Sequence, residues 1–245
     1  MVIAIGTSGF NYEHWSNGVF YPADLPQSRW LEYYCRFFDT VELNVTFYRL
    51  PSKAAFEGWR KRTPKKFIYS LKGSRFITHV KRLKDPKDPV RIFFEQSAPL
   101  KTKTKVILWQ LPPQMKCDLK RLEDFVSALK KYKKPYHAFE FRHESWMNDD
   151  VFSLIRDNKM SICHADWPEF SREIPDDFPF LYVRRHGPTS GFLYAACYSE
   201  KQLKEDAERI KNWVKQDKDV FFYFNNDAAG YAVKNALRLN ELVHS

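Results

Sequence analysis

The sequence predicts a single (β/α)8 barrel, a TIM-like α/β fold, and three observations carry that expectation. Eight short β-rich runs alternate with longer helical stretches. The chain has 245 residues, the size at which such barrels form one domain. No low-complexity tract, interdomain linker or internal repeat beyond the βα alternation interrupts it, so residues 1–245 read as one domain.

The strand runs are 2–6, 40–44, 67–72, 105–110, 137–142, 161–165, 180–184 and 220–224. Helices are expected between most of them. Ser28 can cap one through Phe38, and Ser52 one through Arg62. Pro89 suits the first turn of a helix ending near Leu100. Asp118, Asn148 and Ser199 can cap helices through Tyr132, Asn158 and Gln216, and the last helix should run from near Asp227 towards Leu242. Between the sixth and seventh strands stand Pro168, Pro175 and Pro179, a density that opposes a helix, so the sixth helix should be missing or very short. The first connection, 7–27, is long and aromatic-rich. Both segments fall at the C-terminal side of the barrel, where functional loops belong.

Composition narrows the class. Hydrophobic residues make up 44% and charged residues 29%, which is globular. Phe (21), Tyr (13) and Trp (7) are abundant enough to fill a large core and line a pocket. No apolar run is long enough to cross a bilayer, and the start lacks a signal-peptide pattern, so the expectation is a cytoplasmic protein with no membrane partner. Cys35, Cys117, Cys163 and Cys197 form no C-x-x-C pair and read as free thiols. Of the formal net charge of +10, residues 53–105 account for more than the whole, with 16 Lys and Arg against 4 Asp and Glu. Such a face attracts polyanions, nucleic acid among them, or serves as a solvated surface.

Side chains alternate across a strand. In these runs one parity is bulky and apolar and must meet the helices. The other then points into the barrel: Glu42 and Asn44, Ser70 and Lys72, Gln110, Glu140 and Arg142, His164 and Asp166, Tyr182, Arg184 and His186, Tyr223 and Asn225. On this parity Cys163 faces the helices. Most of the inward polar groups lie at C-terminal strand ends, where barrels of this kind place their sites. A structural salt-bridge network is the competing reading, since buried ions must be paired.

At these residues the chain resembles the YecE-like family, also called domain of unknown function 72. The resemblance rests on Gly6-Thr-Ser-Gly-Phe10 with Tyr12 and Trp15, Phe20-Tyr-Pro22, Thr40-Val-Glu-Leu-Asn44 with Thr46-Phe-Tyr48, Thr63-Pro64, Ile77-Thr-His79 with Lys81, Trp109-Gln110 with Pro112-Pro113, Phe139-Glu-Phe-Arg-His143 with Ser145-Trp146, Val183-Arg184 with His186-Gly187, and Tyr223-Phe-Asn-Asn226. It implies a TIM-like barrel and brings no established activity. A looser likeness of fold to barrels such as endonuclease IV is analogy alone, and the metal-ligand set of those nucleases is not visible as a motif.

The expected substrate is phosphorylated or otherwise anionic, and phosphoester hydrolysis is one such reaction. Glu140 and His186 are expected to exchange protons, with Glu42 and Asp166 as further acid–base candidates. Lys72, Arg142 and Arg184, with Arg75 outside them, would hold the anion, as arginine does through paired hydrogen bonds. Gln110, Asn44, Tyr223, Asn225 and Asn226 add polar contacts. The 223–227 corner opening the last helix and the glycine-bearing loop 186–191 offer backbone N–H groups. Trp15, Trp146 and Trp167 on loops near the mouth can stack on a ligand or anchor their loops. His79, with Thr78, Lys81 and Arg82, belongs to a basic rim or to the surface. No cofactor is expected. A divalent metal is an alternative, because Glu42, Glu140, His164, Asp166 and His186 are suitable donors, although three nearby cations already satisfy the carboxylates. The alternatives to an enzyme are a nucleic-acid-binding protein using the 53–105 face and a small-molecule-binding barrel. G-x-G-x-x-G, P-loop and G-x-S-x-G patterns are absent, which removes support for dinucleotide, NTP and serine-esterase chemistry.

Overall fold

The computed structural model describes residues 1–188 and 194–245. Eight parallel strands, β1 (Ile3–Thr7), β2 (Thr40–Leu43), β3 (Ile68–Lys72), β4 (Thr104–Gln110), β5 (Tyr136–Glu140), β6 (Ser161–Ala165), β7 (Phe180–Arg185) and β8 (Asp219–Phe224), form one sheet in the order β1-β8-β7-β6-β5-β4-β3-β2. β1 and β2 meet through a single parallel bridge, Ser8 to Glu42, so the sheet is a nearly closed barrel. Gly6 makes that approach feasible: a Cβ there would lie 2.6 Å from the Thr40 carbonyl oxygen.

The helices are α1 (Trp30–Tyr34), α2 (Val45–Tyr48), α3 (Lys53–Arg62), α4 (Lys87–Ser97), α5 (Leu119–Leu129), α6 (Asp149–Asp157), α7 (Glu200–Lys215) and α8 (Tyr231–His244). Four of the expected caps form. The Ser52, Asp118 and Asn148 side chains accept the backbone N–H of Ala55, Arg121 and Val151, and Ser199 makes a reciprocal capping box with Gln202. α5 buries Leu122, Phe125, Val126 and Leu129 along one stripe. Each such side chain is worth about 1.5–3 kcal/mol of transfer free energy.

Two helical expectations need correction. The helix expected after Ser28 is only α1, five residues preceded by a 3-10 turn, and Ser28 does not cap it. The last helix begins at Tyr231 rather than Asp227, because Gly230 adopts a left-handed conformation at φ 76° and the preceding residues form a 3-10 turn. Two short elements were not expected, α2 after β2 and a five-residue π-helical turn, Phe76–Val80, after β3. Between β6 and β7 no helix forms, as the prolines require. The vacated space is a cleft of about 960 Å3 bordered by α7, lined among others by His164, Asp176, Arg185, Asp206 and Arg209.

Two apolar layers result. The larger lies between the sheet and the helices. The smaller fills the barrel itself with Ala4, Val106, Leu108, Ala138, Cys163, Phe180, Tyr182, Phe221 and Tyr223. Cys163 therefore faces inward and His164 outward, opposite to the parity read from the sequence. Cys163 pairs in register with inward Tyr182, while the His164 ring lies 5.9 Å from that of Trp213 on α7. β6 presents only small side chains inward, so polarity was a misleading guide there. All four cysteines are free. Among the described residues no helix is long and apolar enough to cross a membrane.

Candidate functional site

Alternation on β2, β5 and β7 brings Glu42, Glu140, Arg184 and His186 together, all four fully buried. They sit above the phenol of Tyr223, which hydrogen-bonds Thr40 Oγ1 at 2.7 Å and Ser70 Oγ at 2.9 Å. Tyr223 thus closes the floor of the cluster instead of lining its mouth.

Arg184 is the hub. Its Nη2 donates to Glu42 Oε1 at 2.8 Å, its Nε to the same oxygen at 3.2 Å, and its Nη1 to Glu140 Oε2 at 2.8 Å. Glu42 is completed by the Ser8 hydroxyl and by the Tyr182 phenol, which donates to Oε2 at 2.5 Å. Glu140 Oε1 receives the Arg142 guanidinium and, at 3.0 Å, Gln110 Nε2. Burial alone would raise the Glu140 carboxyl, but the charges of Arg142 and Arg184 outweigh it and hold the group well below the usual carboxylate range.

His186 is pinned from both sides. Its backbone N–H donates to Asp166 Oδ1 at 2.8 Å, and its Nδ1 lies 3.2 Å from the same oxygen. Its Nε2 faces Arg142 Nη2 at 3.0 Å and Arg184 Nη1 at 3.1 Å. Two guanidinium donors require a lone pair on Nε2, so the proton resides on Nδ1. Desolvation first, opposed by the Asp166 hydrogen bond, keeps the ring below its ordinary value and neutral. Asp166 also accepts the Tyr198 hydroxyl, which in turn accepts the Gly187 N–H at 2.7 Å.

Lys72 and Arg142 are incompletely used. The Lys72 side chain is only 8% exposed, yet its ammonium has no hydrogen bond or ion pair among the described residues. It lies 4.4 Å from the centre of the Phe47 ring, a cation–π contact supplied by α2. Burial, then Arg184, depresses its pKa to about 8. Arg142 donates through Nη2 only. Its Nε and Nη1 are buried without a partner, and its guanidinium sits 4.5 Å from the Trp167 ring centre.

The entire length of the chain from residue 4 to residue 245 matches the family described as protein of unknown function DUF72. The chain belongs to the DUF72 family. The UPF0759 protein YunF of Bacillus subtilis (strain 168) is 25% identical over 275 aligned positions, covering 99% of this chain and 95% of that one. A DUF72 family crystal structure from Thermotoga maritima MSB8 superposes with a TM-score of 0.87 at 30% identity, with both chains fully covered. A second, from Enterococcus faecalis V583, gives 0.79 at 20% identity, covering 100% of this chain and 98% of that one, and speaks for the fold alone.

In this DUF72 chain the other sequence-predicted site residues are dispersed. Asn44 donates to the Ser8 carbonyl at 3.3 Å and leaves Oδ1 buried without a partner. Arg75 is exposed on the outer rim. The 225–230 corner is largely occupied internally: Asn225 N bonds Arg185 O, Ala228 N bonds Tyr194 O, and the Asn226 side chain is buried against Ala196 O and Asn235. Trp15 and Trp146 are fully buried, Trp15 reaching Asp227 O at 3.3 Å and Trp146 stacking on Phe141 while donating to Met115 O at 2.7 Å. Neither presents a face to a ligand. Within the loop read as a glycine-bearing anion cradle, Thr189, Ser190 and Gly191 lie outside the described residues.

Glu140 Oε1 and His186 Nε2 stand 3.6 Å apart, but both are acceptors, so no proton lies between them to exchange. Four participants were not named as site residues from the sequence. Tyr182 was read as inward-facing with Arg184 though not as a site residue, and Ser8, which continues the parity of Ala4 and Gly6 in β1, could have been found by the same alternation. Phe47 and Tyr198 come from outside the strands and had no such signal. Half-buried His79 packs edge-on to Phe47 at 4.9 Å. Burial, then Lys72 and Arg75, lower it to about 4. Among the described residues no three His, Cys, Asp or Glu side chains are disposed to hold a metal ion.

Proposed function

We propose that this protein is an enzyme acting on a phosphorylated or otherwise anionic substrate at the C-terminal mouth of the barrel. One observation carries the reading. Lys72, Arg142 and Arg184 face Glu42 and Glu140, with the Asp166 carboxylate turned to His186 and Tyr198, and N–H donors are left over on Lys72 and on the buried Arg142 Nε and Nη1. A purely structural ion network would satisfy every member, since each unpaired buried ion costs several kcal/mol. An anion completes this one. Glu42 and Glu140 hold the arginines in place, and the least engaged titratable group for proton transfer is Lys72.

Thermal unfolding with inorganic phosphate, or with phosphate and carboxylate monoanions at matched ionic strength, tests the binding. At a hundredfold excess over Kd a ligand stabilises the native state by about 2.7 kcal/mol. Stabilisation lost in Lys72→Met supports the reading, and equal shifts with chloride contradict it. Release of p-nitrophenol from its phosphate ester, abolished by the same change, tests phosphoester hydrolysis.

A second reading, nucleic-acid binding on the basic 53–105 face, draws on exposed Tyr48 (72%) and Phe76 (51%) on elements that follow β2 and β3. Aromatic faces beside cations can stack bases. Steep loss of oligonucleotide affinity with salt would favour it.

A further inference from the structure

We infer that Lys72 is a nucleophile towards carbonyl carbon, forming an imine with an aldehyde or ketone that carries an anionic group. The inference rests on the proposed anion site and adds a covalent step to it.

Lys72 is not needed to complete either buried glutamate. Glu42 is saturated by Arg184, Ser8 and Tyr182, and Glu140 by Arg184, Arg142 and Gln110. Neither Glu42 nor Glu140 therefore depends on Lys72 for a hydrogen-bonded counterion. A long cationic side chain placed at 8% exposure without a hydrogen-bonded counterion costs stability, and burial raises the share of its neutral amine above that of a lysine in water.

Lys72 is the last residue of β3, and its backbone is fixed by Thr46 Oγ1 donating to its carbonyl at 2.6 Å and by the next amide, Gly73 N, donating to Leu108 O at 2.7 Å. The amine rests on the Phe47 ring, and His79 packs against that ring's edge. The wall is therefore apolar or neutral on that side. On the other side Arg184 disfavours a further cation on Nζ, an effect that Glu140 and Glu42 oppose, so burial is the main cause of the depression. A lysine desolvated beside other cations is the recognised form of an amine nucleophile. The depressed value of about 8 agrees with this geometry.

Arg142 Nε and Nη1 are buried donors without acceptors, suited to a carboxylate or phosphate on the same small molecule. The step balances without a redox partner. The Nζ lone pair bonds to the carbonyl carbon, and the C=O π pair moves to oxygen. That oxygen takes protons released by the nitrogen through solvent and leaves as water. Amine plus carbonyl gives imine plus water.

Glyoxylate is a probe with both features. The full-length protein is incubated with glyoxylate and cyanoborohydride at pH 7, and the carboxymethylated lysines are located by peptide mass spectrometry. The neutral-amine fraction of a lysine near pH 8 exceeds that of an ordinary one by about a hundredfold at pH 7. Lys72 should accordingly be modified at least about tenfold faster than the exposed lysines, with phosphate protecting it. Lys72→Arg should lose this adduct yet keep stabilisation by phosphate, because it keeps the cation. Peptide mapping of the wild-type chain decides the matter even should that variant fail to fold. Modification of Lys72 no faster than surface lysines, in protein that phosphate still stabilises, overturns the imine and leaves the anion site standing. Absence of both the adduct and phosphate stabilisation removes the two together.

Discussion

Arg184 Nη2 lies 2.8 Å from Glu42 Oε1, with both side chains sealed from solvent inside the barrel mouth. Arg184→Met leaves Glu42 and Glu140 each short of a counterion. The expected loss is about 3–5 kcal/mol of unfolding free energy in urea. Adding Glu42→Gln should recover part of it. A loss below 1 kcal/mol (roughly the surface-pair range) would mean the pair is not buried as described.

Removing Lys72 should have the opposite sign. Lys72→Met fills similar volume without a charge and should stabilise the fold by up to about 3 kcal/mol at pH 7. The pH dependence follows from the depressed value of about 8. Between that value and the ordinary lysine value of about 10.4 the unfolded chain binds the extra proton, so wild-type stability rises with pH in this window. The Tm gap between Lys72→Met and wild type should shrink from pH 7 to pH 10. A constant gap contradicts the burial of the ammonium.

The Asp166–His186 contact fixes a tautomer. Nitrogen-15 NMR of labelled histidine should place the His186 proton on Nδ1 and show the ring neutral at pH 7. Its depressed pKa means that stability is full above the unfolded-state value of about 6.5 and falls as pH drops through it. Asp166→Ala should release the tautomer preference. Protonation at Nε2 in the wild-type chain would contradict the two arginine contacts.

Trp146 separates packing from recognition. Stacked on Phe141 and bonded to Met115 O, it contributes to the outer core, so Trp146→Ala should cost about 3–5 kcal/mol. Phosphate affinity of the folded variant should stay within about twofold of wild type, since the indole reaches neither Lys72 nor Arg142. A selective loss of affinity would restore Trp146 to the site.

Much of this was legible in the sequence wherever chemistry and periodicity agreed. β2, β3, β5 and β7 alternate large apolar residues with polar ones, and Glu42, Lys72, Glu140, Arg142 and Arg184 converge as that alternation requires. β6 was misread because its inward positions are small and its one large polar residue, His164, packs outward on Trp213. Trp167 does lie against Arg142, but Trp15 and Trp146 were misplaced for a different reason. Composition marks them as near the mouth, but only tertiary packing decides whether an indole faces solvent. The proton partners of His186 also escaped pairwise reading, since two arginines compete for the atom that Glu140 was expected to use.

The most direct measurement is a crystal structure grown with selenate, whose anomalous signal marks the anion unambiguously. The account predicts selenate within hydrogen-bond distance of Lys72 Nζ and of Arg142 Nε or Nη1. Selenate confined to the outer surface, with Lys72 and Arg142 closed onto protein acceptors, would contradict it.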